Sequence, residues 1–158
     1  DSLTGLENRA AFTRELNAFE NKPNAACIVA DVNNLKLCND RYGHIEGDRA
    51  IKDAGECLSK AFEGMGKCYR IGGDEFSCLV FSEKEGFENI LKNRIVEACK
   101  QFNETSGKPY YVEISVGIKT FQMECYEDLH LATISADQDL YEAKKTRKKS
   151  IKKKNNEL

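Results

Sequence analysis

The sequence predicts a mixed fold, α+β or α/β, with helices packed on one sheet. Three observations carry this reading. Helical apolar stripes and β-rich runs are interleaved along the chain. Two of those runs flank a Gly-Gly turn and read as a hairpin. No repeat and no Pro/Gly/Ser linker divides the 158 residues, a length that suits one domain with a sizeable core.

Taken in order, "TGLENRAAFTRELNAFE" (4–20) opens with Thr4 followed three residues later by Glu7, a capping box, and Leu6, Ala10, Phe12 and Leu16 form an approximate stripe, so a helix is expected. "AACIVADV" (25–32) is a short apolar run and reads as a buried strand. Residues 46–63 place Ile51, Ala54, Leu58 and Phe62 on one helical face. "KCYRI" (67–71) and "EFSCLVF" (75–81) are the strands of the hairpin. Residues 85–102 set Phe87, Ile90, Leu91, Ile95, Ala98 and Phe102 at helical spacing. "YYVEISVGIKTF" (110–121) alternates as a strand, and residues 129–146 form a last helix. The expected order is α β α β β α β α.

Composition excludes several classes. There is no run of about 18 apolar residues, hence no membrane span, and the chain opens without a basic segment followed by an apolar one, hence no signal peptide. It also lacks an initiator Met, so it is expected to be a piece of a longer protein. Seven cysteines without a CxxC pair read as reduced, buried thiols of a cytoplasmic domain. Net charge is −2, but residues 144–158 hold eight Lys or Arg against one Glu, leaving an acidic body. A basic tail over 149–158 is expected to fray. An acidic body argues against a nucleic-acid partner, which would need a basic face.

The chemistry centres on "CYRIGGDEFSCLVF" (68–81). Gly72 and Gly73 leave bare N–H groups that can approach a phosphate. Asp74 and Glu75 follow at the start of a strand, where successive side chains point to opposite faces. A divalent cation needs oxygens from elsewhere as well. Asp31, an acid ending a buried apolar strand, supplies one, and such a carboxylate is costly unless paired or ligating. "GGDE" alone also fits a tight turn with solvated acids. The two carboxylate sources together suit a Mg²⁺–nucleotide site.

The motif "GGDEF" (72–76) resembles the signature of the GGDEF family, the diguanylate cyclases. Other blocks resemble the family in order: "DSLTGLENR" (1–9), "DVNNLKLCNDRYGHIEGD" (31–48), "SVGI" (115–118) and "ADQDLYEAKK" (136–145). The resemblance spans nearly the whole chain. It implies an α+β sandwich with a palm-like, mainly antiparallel central sheet surrounded by helices, similar to nucleotide cyclase catalytic domains. It also implies condensation of two GTP into cyclic di-GMP with Mg²⁺ or Mn²⁺. The partners implied are GTP, a second copy of the domain facing the first, and an upstream sensory or dimerising domain. The implied location is the cytoplasm, free or beneath a membrane sensor. The alternative is a catalytically silent GTP-binding module of the same family.

Residue by residue, Asp31, Asp74 and the Val32 carbonyl match the metal ligands. Glu75 matches either the general base or a further metal ligand, and the sequence leaves open which of Asp74 and Glu75 takes the proton. Asn39 and Asp48 match guanine readers, with helix capping as their other reading. Lys36, Arg70 and Lys144 match phosphate contacts, alongside Gly72 and Gly73. His44 reads as a structural or substrate-adjacent hydrogen-bonder, since no second His lies at ligand spacing. The chain departs from the family pattern at Asn33 (usually Asp), at Leu35 (usually Phe), and at Arg147, Lys148 and Lys149, which replace Gly-Arg-Asn and put a Gly-dependent turn in doubt. A final strand reads as weak. Glu63 and Gly66 stand where the product-inhibition pair would be Arg and Asp.

Overall fold

The computed structural model describes residues 1–17, 22–81, 86–123 and 126–156. Its elements are β1 (Glu7–Asn8), α1 (Arg9–Asn17), β2 (Lys22–Val32), α2 (Leu35–Tyr42), α3 (His44–Ala61), β3 (Gly66–Gly72), β4 (Glu75–Phe81), α4 (Glu88–Thr105), β5 (Ile114–Met123) and α5 (Tyr126–Asn156). The sheet order is β1-β3-β4-β2-β5. Among the described residues only the short β1–β3 pairing is parallel. This is the expected α+β sandwich with a mainly antiparallel sheet.

The strands' period of two sorts the core into two layers. Even-numbered residues, including Ala26, Ile28, Cys78, Val80 and Ile118, pack beneath α3 and α4. Odd-numbered residues, including Cys27, Tyr69, Leu79 and Phe121, pack beneath α1 and α5. Gly117 lets α5 lie close on the sheet, because a Cβ there would overlap the Ala136 carbonyl oxygen.

Several expectations are corrected. The Thr4–Glu7 capping box does not form: Thr4 turns back to Asp1, Glu7 joins β1, and the helix starts at Arg9. Its cap is Asn8, whose Oδ1 accepts the Ala11 N–H at 3.0 Å. Ala10 is exposed, while Ala11 and Phe12 face inward. Residues 18–20, Glu85 and Cys125 lie outside the described residues. Helix α2 was not expected. Ile90 sits on the outside of α4, and Leu91, Ile95, Ala98 and Cys99 form its buried face. The last strand begins at Ile114 rather than at residue 110, because Tyr110 and Val112 are claimed by side chains. The Tyr110 hydroxyl donates to Asp53 Oδ2 at 2.6 Å, and Asn103 makes two 2.8 Å bonds to the Val112 backbone. Where a frayed tail was expected from residue 149, α5 continues to Asn156. The Gly-dependent turn is absent, since Arg147 lies within the helix. Among the described residues no strand follows α5, and no helix is long and apolar enough to cross a membrane.

Candidate active site

Asp31 lies at the end of central strand β2, in register with Glu75 on β4 and Ser115 on β5. The next pair along β2 and β4 is bonded through Val32 N–H to Asp74 O at 3.1 Å. Bonded and non-bonded positions alternate in an antiparallel ladder, so Asp31 and Glu75 form a non-bonded pair, the kind whose side chains stand closest. Both are odd-numbered and share the α5 face. Asp31 is buried and Glu75 exposed; Asp74, in the turn before β4, is half-buried.

Burial pushes the Asp31 carboxyl above the usual carboxylate range. The Lys144 ammonium opposes that rise, and the charge of Asp74 adds to it. Lys144 reaches down from α5 to place Nζ 2.5 Å from Asp31 Oδ2. A buried carboxylate of this kind calls for a cation. Asp31, the Val32 carbonyl and the hairpin acids Asp74 and Glu75 are hard oxygen donors of the sort a Mg²⁺-sized ion uses. With Lys144 seated on Asp31, no three acidic, Cys or His side chains converge on one point among the described residues.

The signature turn is braced from within. Gly73 adopts φ +49°, and Arg70 donates to its carbonyl oxygen from Nε (3.1 Å) and Nη2 (2.9 Å). Arg70 Nη1 bonds Asp1 Oδ1 at 3.0 Å. Arg70, matched in the sequence to a phosphate contact, clamps the turn in this structure. Gly72 and Gly73 are exposed, and a Cβ at either would meet nothing within 4 Å.

Asn39 and Asp48 come from the two helices of the α2–α3 corner, which bends at Gly43 (φ +87°). Asn39 is half-buried and Asp48 exposed, and the N-cap positions of their helices are Asn34 and Gly43. A Cβ on Gly47 would overlap Asn39 Oδ1, so this glycine makes room for the Asn39 amide. Lys36 lies exposed in the first turn of α2, and His44 is the exposed first residue of α3. The cavity of about 240 Å³ between α2 and residues 109–111 opens beside Val32 and Asn33, away from the Asp31 side chain.

The family model described as "Diguanylate cyclase, GGDEF domain" matches residues 1–150. The chain belongs to the GGDEF family. It is 32% identical to diguanylate cyclase DgcS of Shewanella oneidensis over 91% of this chain and 49% of that protein. It is also 32% identical to diguanylate cyclase DgcN of Escherichia coli, over 96% of this chain and 38% of that protein. It therefore spans less than half the length of these curated relatives. The solved GGDEF domain of PA1120 from Pseudomonas aeruginosa matches with a TM-score of 0.75 and 26% identity, covering 92% of this chain and 88% of that one.

Within this GGDEF domain some contributors escaped the sequence reading. Ser115 is buried beside Asp31 and donates to Asn33 Oδ1 at 2.9 Å, so the Asn that replaces the usual Asp is a neutral tie between β2 and β5. Its motif "SVGI" was visible, but its partner was not. Gly47 was visible as part of the block "DVNNLKLCNDRYGHIEGD", but the space it leaves for the Asn39 amide was not.

Proposed function

We propose that this domain is a diguanylate cyclase that condenses two GTP into cyclic di-GMP and two pyrophosphates. The observation that carries the reading is the carboxylate pair Asp31–Glu75, opposed on one sheet face directly beside an intact Gly-Gly hairpin. Mg²⁺ or Mn²⁺, when bound, supplies positive charge against the phosphates and makes a 3′-hydroxyl more acidic. Asp31 and the Val32 carbonyl would hold that cation with a carboxylate from Asp74–Glu75. The same hairpin pair supplies the acceptor for the 3′-hydroxyl proton as its oxygen attacks the α-phosphorus of the other GTP and pyrophosphate leaves. Lys36 and Lys144 bear on the phosphates, and the bare N–H groups of the Gly72–Gly73 turn can approach them. Asn39 and Asp48 read the guanine edge. An amide and a carboxylate answer its acceptor and donors, and a base lacking that pattern leaves them unpaired.

One domain holds one GTP, so ring closure needs a second copy facing the first. The longer relatives leave room for a sensory or dimerising segment that brings two copies together, and a cytoplasmic location follows from the need for GTP. The test is incubation with GTP and Mg²⁺ at high protein concentration or fused to a dimeriser, with the product identified by mass. Cyclic di-GMP and pyrophosphate are expected. Metal-dependent GTP binding without product would refute turnover and leave the silent GTP-binding module.

A further inference from the structure

The C-terminal half of α5 is held in an unusual way. Leu140 is its last buried residue among the described side chains; from Tyr141 to Ile151 every side chain is exposed or half-buried. Among the described side chains no buried apolar anchor fixes this half to the sheet. Two ion pairs do, from residues three apart on one helical face. Lys144 reaches Asp31. Arg147 forks onto Glu113, Nε to Oε1 at 2.9 Å and Nη2 to Oε2 at 2.5 Å. Glu113 is itself fixed, because its backbone carbonyl accepts the Asn33 N–H at 2.8 Å, two residues beyond Asp31. The contacts close a ring from the end of β2 through Lys144 and Arg147 to the start of β5 and back.

We infer that Arg147 is a positioning residue: its fork on Glu113 fixes the end of α5 and thereby sets Lys144 over the carboxylate and phosphate end of the site. This rests on the proposed reading of that site. The residue type suits the task. A planar guanidinium gripping both carboxylate oxygens fixes direction as well as distance, which a single ammonium cannot. The family pattern has Gly at position 147. Here the helix runs on for nine more residues, and Arg147 supplies the tether that such an extension needs.

The test is GTP binding by calorimetry with Ca²⁺ in place of Mg²⁺, on the whole domain and its variants, so that affinity is read without turnover. Arg147→Ala and Glu113→Gln are each expected to weaken GTP by about fivefold to tenfold, the scale of one ordinary hydrogen bond. In steady state the loss should appear in KM, with kcat within about twofold. The charge-swapped Glu113→Arg, Arg147→Glu double variant should recover most of the affinity. Adding Arg147→Ala to Lys144→Ala should cost nothing more, because the effect passes through Lys144. Equal losses in the wild-type and Lys144→Ala backgrounds would overturn the inference, as would unchanged affinity in Arg147→Ala. A wild-type domain that binds no GTP would overturn both this and the proposed function. Binding without cyclic product would overturn only the proposed activity.

Discussion

Gly47→Ala separates the base-reading role of Asn39 from the stability of the fold. The new Cβ would overlap Asn39 Oδ1 and lie 2.8 Å from its Cγ, while no backbone atom is among its nearest neighbours. The terminal amide can swing away, at a cost of about 0.5–1.5 kcal/mol if it leaves its rotamer well. Against this, Ala in place of Gly inside α3 gains about 1 kcal/mol of helix propensity. The two nearly cancel, so Tm should stay within about 4 °C of wild type. The displaced amide no longer meets the guanine, and an unpaired polar edge costs about 1–3 kcal/mol, roughly 5- to 150-fold in GTP affinity. The assay is a thermal melt beside competition between GTP and ATP for the site. Unchanged GTP affinity and selectivity at full stability would refute Asn39 as a base reader. A fall in Tm beyond about 8 °C would instead show that the overlap is not absorbed by the side chain.

Three other outcomes are expected. Asp31→Asn should reduce turnover by at least about a hundredfold, on the order of 3 kcal/mol, yet raise the Tm of the metal-free domain at pH 7. Because burial lifts the folded-state pKa above the unfolded value, the ionised group costs stability at high pH, and the gain from Asn should fade as pH falls through the folded-state pKa toward 4; a lower Tm at pH 7 would contradict this. Gly117→Ala should drive a Cβ into the Ala136 carbonyl oxygen and the Leu140 amide, both backbone, for about 2–3 kcal/mol and a Tm loss of roughly 6 °C, and a neutral melt would contradict it. Cyclic di-GMP should not bind at residues 63–66 with micromolar affinity, which calorimetry with amide-shift mapping checks. Gly66 begins β3 against the Leu79 and Val80 backbone, where a Cβ would overlap the Leu79 carbonyl oxygen, so the Asp of an inhibitory pair does not fit.

Much of the fold was legible because its strands are strongly patterned. The apolar run before Asp31 and the hairpin around Gly72–Gly73 appear as read, with Asp31 at the end of β2, Asp48 on α3, Glu75 starting β4 and Lys144 on α5, whereas Asn39 lies on the unexpected α2 and Asp74 in the turn before β4. What failed were local signals overridden by distant partners. Thr4 and Glu7 form a valid capping box in isolation, but pairing with Tyr69 and Arg70 draws Glu7 and Asn8 into a strand. Tyr110 and Val112 alternate as a strand, but Asp53 and Asn103 claim them. Helix α2 lies within "NNLKLCNDRYG", which has a short apolar pattern and polar neighbours, so periodicity gave little to read. Arg70 looked like a free cation because neither Gly73 O nor Asp1 is marked by any spacing.

The six described cysteines are all free and buried, and their surroundings rank them as nucleophiles. Only the thiolate attacks. Burial lifts Cys27 to about 11, which leaves roughly one molecule in ten thousand ionised at neutral pH. Cys78, in full burial beside Cys68, lies higher than the ordinary thiol value as well. Cys57 and Cys99 break the uniformity. Between α3 and α4 the Cys57 Sγ donates to the Ala98 carbonyl oxygen at 3.9 Å, and the neighbouring Cys99 together with burial raises the Cys57 thiol while Cys57 lowers that of Cys99. Of this pair, Cys99 at the seam of α3 and α4 is the more readily ionised thiol. A thiol label on Cys99 would report on the packing of these two helices.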